Sequence, residues 1–139
     1  MYRRILLAAD GSPSSLKAAE TAATLARLTP DSSVTVFHVL HVPMVLLPAW
    51  DTPIDLMVRG TAREVIDSTI KAMGLAPEQV HAEVQMGDPA TEIVQMASTA
   101  PFDVIVMGSR GLSPLKEILL GGVSHRVVNT ATCPVLLVR

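Results

Sequence analysis

The strongest constraint on this chain is the alternation of short apolar runs with segments of helical periodicity. Ile5–Ala9, Val104–Met107 and Val135–Val138 contain no polar residue, and Val34–Val39 is nearly as apolar. Runs of this length without polar alternation belong to strands covered on both faces, as inside a parallel sheet. Val80, Ala82, Val84 and Met86 alternate instead with His81, Glu83 and Gln85. That pattern predicts a third strand with one wetter face, at an edge of the sheet.

The intervening segments read as helices. Asp10-Gly11-Ser12-Pro13 closes the first run, with Ser12 as the expected cap and Pro13 as the first helical residue. Leu16, Ala19, Ala23 and Ala26 then form a stripe of small residues, which lets a helix lie close to a sheet. Ala62, Val65, Ile66, Thr69, Ile70 and Met73 recur at helical spacing until Gly74 and Pro77 stop them. Asp88-Pro89 opens a third helix with Ala90, Ile93, Val94 and Ala97 facing inward. Val123, Val127 and Val128 mark a short last one. Strands alternating with helices give a parallel sheet with right-handed crossovers, here in one domain spanning residues 1–139. The longest irregular stretch, His41–Pro53, carries Met44, Leu46, Leu47 and Trp50 among prolines. It reads as a loop folded back on its own domain, with a lid or a partner contact as the alternative.

Charge and composition exclude several classes. The net charge is −2 and no basic stripe occurs, which argues against a general nucleic-acid binder. No apolar stretch has the length of a membrane span. Arg3 and Arg4 precede apolar residues, but the run is too short for a signal-peptide core and Asp10 ends it. The expectation is a first strand in a cytoplasmic protein. Cys133 is the sole cysteine, so an internal disulfide and a zinc site built on cysteine pairs are both out. Its place before an apolar run predicts a buried, inert thiol.

Of eight glycines, four (Gly108, Gly111, Gly121 and Gly122) fall between the fourth strand and the last helix, so a local backbone cause is needed. Glycine removes the Cβ that would keep a ligand from the main chain, and successive N–H groups in such a turn can hold an anion. A helix starting near Gly121 would add free N–H groups and the positive end of its dipole, with the Ser124 hydroxyl in the same turn. Spacing alone leaves this reading level with that of ordinary turn glycines. The segment matches neither the Walker A nor the G-x-G-x-x-G pattern.

The stretches Val104–Leu112 and Leu119–Val128 resemble the signature of universal stress proteins. So do Cys133–Val138, Asp10-Gly11-Ser12, His38-Val39 and Gly87-Asp88-Pro89-Ala90. The resemblance covers nearly the whole chain. It implies an open five-stranded parallel α/β sheet of order 3-2-1-4-5 with helices on both faces. That fold is Rossmann-like, of the adenine nucleotide alpha hydrolase-like kind. The family's nucleotide-binding branch carries G-x2-G-x9-G followed by Ser or Thr, and Gly108, Gly111 and Gly121 stand at that spacing. The resemblance therefore implies ATP or another adenine nucleotide, with or without Mg²⁺. It implies phosphates wrapped by the loop, Ala9 and Asp10 beside the adenosine, Val39 near the adenine, and a main-chain contact from Met107. Arg110, Gly122, Val123 and Ser124 complete the expected site. The departure is Gly122, which stands where the binding branch has a hydroxyl. Its N–H remains, and Ser124 is expected to compensate in part.

An order of 3-2-1-4-5 reverses between strands one and four, where open α/β sheets take their ligands. It also leaves the fifth strand, Val135–Val138, as an edge without a charged gatekeeper, and the resemblance implies a homodimer through it. His38 and His41 are three apart, so they point to opposite faces and make no metal pair. His81 and His125 read as surface residues, and Lys116 as a solvated neighbour of the glycines. Ser12, Ser109 and Ser124 each lack an identifiable base, and Asp10 reads as a ribose or adenine partner rather than a Mg²⁺ ligand. The expected protein is thus a non-enzymatic, dimeric nucleotide binder in stress response, with unidentified protein partners. A non-nucleotide interaction protein and a slow ATPase are the alternatives.

Overall fold

The computed structural model describes residues 2–41, 53–110 and 122–139. The elements run β1 (Arg4–Ala8), α1 (Pro13–Leu28), β2 (Ser33–Leu40), α2 (Pro53–Met73), β3 (Val80–Met86), α3 (Pro89–Thr99), β4 (Val104–Gly108), α4 (Gly122–Thr130) and β5 (Val135–Val138). The five strands form one sheet of order β3-β2-β1-β4-β5. Every pairing is parallel. The apolar stretch around Met44, Leu46, Leu47 and Trp50 lies outside the described residues.

β1 sits in the middle because its residues suit no other position. Ile5, Leu6 and Leu7 are fully buried, and side chains alternate between two cores. Ile5, Leu7, Val34, Val36, Val104 and Val106 pack toward α1 and α2. Leu6, Ala8, Phe37, Ile105 and Met107 pack toward α3 and α4 with Ala90, Ile93, Ala97 and Val127. α1 meets the sheet with Ser15, Ala18, Ala19, Ala22, Ala23 and Ala26, all buried. Methyl groups and one hydroxyl let its backbone ride low over β1 and β4. α2 buries Ala62, Ile66, Thr69 and Met73, as its periodicity requires.

The helix ends follow the sequence signals. The Ser12 hydroxyl accepts from the Ser15 N–H at 3.2 Å, and Pro13 fills the first helical position. α2 ends at Gly74, whose φ of +60° suits glycine at a helix C-terminus. Arg27 of α1 donates to the Met73 carbonyl at 2.6 Å and satisfies one of the exposed acceptors there. Asp88 caps α3 by accepting from the Thr91 N–H at 3.1 Å. The same carboxylate takes the Arg126 guanidinium of α4 at 2.9 and 3.0 Å.

β3 departs from expectation. The alternation predicts one dry face, yet Val84 and Met86 are 42% and 39% exposed alongside their polar neighbours. The reason is geometric. Only Val80 packs into the core beside α2. Farther along β3, Ala82 and Val84 line an open apolar depression of ≈ 300 Å³ with Leu40, Ala62 and Ile66, bordered by Arg59 and Arg63.

The Asp88–Arg126 pair generates a pH prediction. The Arg126 hydrogen bond first, and those from Thr91 second, hold the Asp88 carboxyl at about 2 against an ordinary 3.8. A depressed carboxylate stabilises the fold above its unfolded pKa and stops doing so as pH falls through the folded one. Both side chains are about half exposed, so the pair is worth under about 1 kcal/mol at neutral pH. Asp88→Asn, which keeps a capping oxygen, should lose that amount in urea unfolding. Asp88→Ala should lose about 1 kcal/mol more with the cap. The Asp88→Asn deficit should begin to shrink below pH 3.8 and vanish near about pH 2.

Candidate functional site

The sheet opens where β1 ends, and the hydrogen-bond accounting shows how. The Ala9 N–H donates to the Phe37 carbonyl at 2.9 Å, still in the manner of the β1–β2 ladder. The next rung of a parallel ladder would run from the Val39 N–H to the Ala9 carbonyl. The Ala9 carbonyl instead accepts from Nδ1 of the buried His38 at 2.7 Å. Since a carbonyl only accepts, this bond assigns the proton to Nδ1. On the β4 side, the next rung would join the Asp10 N–H to the Gly108 carbonyl. The Asp10 N–H goes instead to the Ser15 hydroxyl at 3.1 Å. Two side chains thus claim the two groups that would have continued the sheet, and the chain turns away over α1.

The turn that follows is built for the purpose. Asp10 Oδ1 accepts from the Ser12 N–H at 2.8 Å. This leaves Oδ2 without a partner among the described residues. Gly11 has φ +81°, and a Cβ there would stand 3.3 Å from Val65 Cγ2 of α2. The turn therefore needs glycine for both its conformation and its packing. The hydroxyls of Ser12 (3.3 Å) and Ser14 both donate to the carbonyl of Arg110. The chain leaving β4 is thereby fastened to the start of α1.

Above the end of β1 the ladders to β2 and β4 lapse, which leaves a gap in the hydrogen bonding between their main chains. Alternation along β2 directs the peptide groups of Val39, like those of Phe37, toward β1. Along β4, the N–H groups of Ile105 and Ser109 bond to β5 and its approach, at the carbonyls of Pro134 (2.9 Å) and Val138 (2.8 Å). By the same alternation Met107 faces β5 and Gly108 faces β1. The gap thus receives the Val39 peptide groups from one side, the Gly108 carbonyl from the other, and Asp10 at its lip.

The residues expected from sequence fall into distinct groups. Asp10, Val39 and Gly108 come together at this gap. Ala9 adjoins it, with its N–H and carbonyl both bonded and its side chain buried. Met107 lies beside it on β4, with its side chain buried and its peptide groups in the β4–β5 ladder, while those of Gly108 face β1. Arg110 presents an exposed side chain. Gly122 and Val123 begin α4 and are exposed. Ser124 is buried, and its hydroxyl donates to the Ser109 carbonyl at 3.0 Å. Its proton is thus given to a main-chain acceptor within the fold, whereas the sequence expectation has it compensating in part for Gly122. Gly111, Gly121 and Lys116 lie outside the described residues.

Sequence reasoning missed His38 and Ser15 as shapers of the gap. His38 sits next to Val39 on the second apolar run, and a polar residue in such a run is the signal that could have found it. Among the described residues, no three or more His, Cys, Asp or Glu side chains converge as metal ligands. His41 and His81 are exposed, and His125 is exposed beside Asn129. Cys133 is partly buried, and burial raises its pKa above the usual thiol value, which suppresses the thiolate.

An open parallel sheet with a main-chain-lined crevice at its switch point defines the class of small-ligand-binding α/β domains. Within that class the chain belongs to the universal stress protein family, whose sequence model matches residues 1–139. It is 37% identical to universal stress protein MJ0531 of Methanocaldococcus jannaschii, over all of this chain and 83% of that one. It is 35% identical to universal stress protein YxiE of Bacillus subtilis, over the full length of both. Among solved structures it is similar to that of MJ0577, with a TM-score of 0.85 and 28% identity over 99% of this chain and 96% of that one. It is also similar to a universal stress protein in complex with cAMP, with a TM-score of 0.72 and 25% identity over 99% and 97% of the two chains.

Two glycines of the site make opposite predictions. A Cβ on Gly108 would lie 2.8 Å from the Ser14 carbonyl carbon and 2.9 Å from the Ser15 nitrogen. Gly108→Ala should push α1 outward and cost about 1–3 kcal/mol in chemical unfolding. A Cβ on Gly122 would meet nothing within 4 Å, and its φ is not positive. Gly122→Ala should leave stability unchanged or raise it by about 0.4–1 kcal/mol.

Proposed function

We propose that this protein binds ATP or a related adenine nucleotide in the crevice above β1 and acts as a dimeric stress-response or signalling protein. The observation that carries the reading is the unzipped end of β1. It exposes a donor and an acceptor on Val39, and such a pair complements the N1 and N6 edge of adenine. Asp10 Oδ2 stands at the lip as an acceptor for ribose hydroxyls. The phosphates would run toward the start of α4, whose first N–H groups and dipole favour negative charge. Gly108, Gly111 and Gly121 keep the spacing of the binding branch. The related protein in complex with cAMP supports an adenine nucleotide as the ligand class.

The chain's own groups would orient and hold the nucleotide. Among the described residues, no side chains around the crevice are arranged as base, nucleophile and orienter, and binding rather than turnover is the reading. Asp10 has one carboxylate oxygen in its own turn, which fits a ribose partner better than a Mg²⁺ ligand.

Gly122 favours a second reading, an interaction protein without nucleotide. The hydroxyl of the binding branch is missing, and Ser124 is turned inward onto Ser109. A hydrogen bond to a charged group is worth about 1.5–3 kcal/mol, so its loss weakens binding roughly ten- to a hundred-fold. Partners and dimerisation are proposed on β5. It is an edge strand with Leu136 37% exposed, and Val123 and Val128 of the neighbouring α4 are 37% and 42% exposed.

Isothermal titration with ATP, ADP, AMP and cyclic AMP tests the function, and heat from at least one of them is expected. Gly122→Ser, which has room for its side chain, should tighten ATP binding about tenfold. Absence of heat in both proteins at millimolar ligand excludes the nucleotide reading. ATP binding present only in Gly122→Ser favours the interaction protein. Sedimentation at micromolar protein should give a dimer, and a charge in place of Leu136 should return it to a monomer.

A further inference from the structure

The reading of a nucleotide in this crevice leaves one group unexplained. His38 is buried, carries a polar ring on an otherwise aliphatic face of β2, and bonds through Nδ1 to the Ala9 carbonyl. Its neighbours on the same face of β2, Val34 and Val36, are aliphatic members of the core beneath α1 and α2. A leucine would fill that place without a polar group to satisfy. What the imidazole adds is a single donor, spent on the Ala9 carbonyl at 2.7 Å.

That carbonyl is the acceptor that would bring the Val39 N–H into the β1–β2 ladder. The Phe37 carbonyl already receives the Ala9 N–H at 2.9 Å, so the two strands remain in register up to this rung. The conformation of the two residues themselves permits the rung: neither Ala9 nor Val39 is Pro or Gly, and neither has a positive φ. The side-chain bond occupies the acceptor in their stead. On the opposite side Ser15 takes the Asp10 N–H at 3.1 Å, so the chain is drawn off the sheet symmetrically.

We propose that His38 is a positioning residue: its Nδ1–H takes the Ala9 carbonyl and so keeps the main-chain donor and acceptor of Val39 open for the base of a bound nucleotide. The role rests on the nucleotide reading for its ligand but not for its geometry. Removing the donor frees the Ala9 carbonyl, and the Val39 N–H closes the rung. The crevice then loses the edge that distinguishes one base from another, while the phosphate end is untouched.

Amide hydrogen exchange in the ligand-free protein separates the two parts. In the parent, the Val39 amide should exchange quickly although the Phe37 amide is protected. In His38→Leu, and in His38→Ala where overpacking is no concern, the Val39 amide should become at least about tenfold more protected. His38→Asn, whose side-chain amide can still donate to Ala9, should keep the parent pattern. Titration of the same variants should show adenine-nucleotide affinity reduced about tenfold in His38→Leu and His38→Ala and retained in His38→Asn. Guanine-nucleotide affinity should be unaltered throughout. Unchanged Val39 exchange in both donor-deleting variants overturns the role of His38, whatever the titrations give. If the rung closes as expected but the parent binds no adenine nucleotide, His38 stands as the residue that holds the ladder open and the nucleotide reading falls. A purely structural histidine would lower thermal stability in all three variants without moving Val39 exchange, and that pattern too overturns the proposal.

Discussion

The fold turns on how a fully buried central strand comes to an end. A strand in the middle of a parallel sheet has ladder partners on both sides, and stopping it leaves donors and acceptors to be satisfied on two neighbours at once. Here the chain itself is satisfied first. Ala9 gives its carbonyl to an imidazole and Asp10 gives its N–H to a serine hydroxyl. The unsatisfied groups are transferred to the neighbours, Val39 and Gly108, which face an opening. A crevice at a topological switch point is therefore a stated hydrogen-bond deficit, and a polar ligand with matched edges is what removes it.

The same junction explains why α1 is made as it is. Its N-terminus supplies the Ser15 hydroxyl to Asp10, the Ser12 cap, and two hydroxyls for the Arg110 carbonyl. The bonds to the Arg110 carbonyl, which cross from helix to sheet, would not reach if the helix stood farther from the sheet. The alanine face permits the approach, and Gly108 permits it again from the sheet side, because any Cβ there would strike the backbone of Ser14 and Ser15. Sequence reasoning assigned Gly108 to a ligand. The geometry assigns it first to packing.

Much of the architecture was legible because it rests on period and punctuation. Apolar runs without alternation marked β1, β4 and β5 as parallel strands, and Ser12-Pro13 and Asp88-Pro89 marked two helix starts where the caps indeed form. Gly74 marked the end of α2. The site was legible only in outline. Asp10, Val39 and Gly108 followed from family likeness, and the register sets them at the ends of the adjacent strands β1, β2 and β4. That the peptide groups of Ala9 and Met107 are bonded within the sheet could not be read in advance, because which way a peptide group points depends on ladder parity, and parity is invisible until pairing is known. His38 was weighed only as half of a metal pair with His41, because its partner lies across the sheet, 29 positions away in the chain. Ser124 looked free in sequence, but helix phase turns it into the core. β3 misled because alternation reports which face is more apolar, not whether a helix reaches it.

Alanine along α1 has one more consequence. A contact made of methyl groups against main chain has no rotamers to adjust, so the spacing between helix and sheet is set by hard contact rather than by side-chain repacking. Every added carbon on that face would be passed on as a lift of the helix, and its leading end carries the turn at Asp10. The height of the crevice floor is thus fixed by the smallest side chains in the protein. Variation among relatives would find its freedom at the rim, in the residues after β4, and very little beneath.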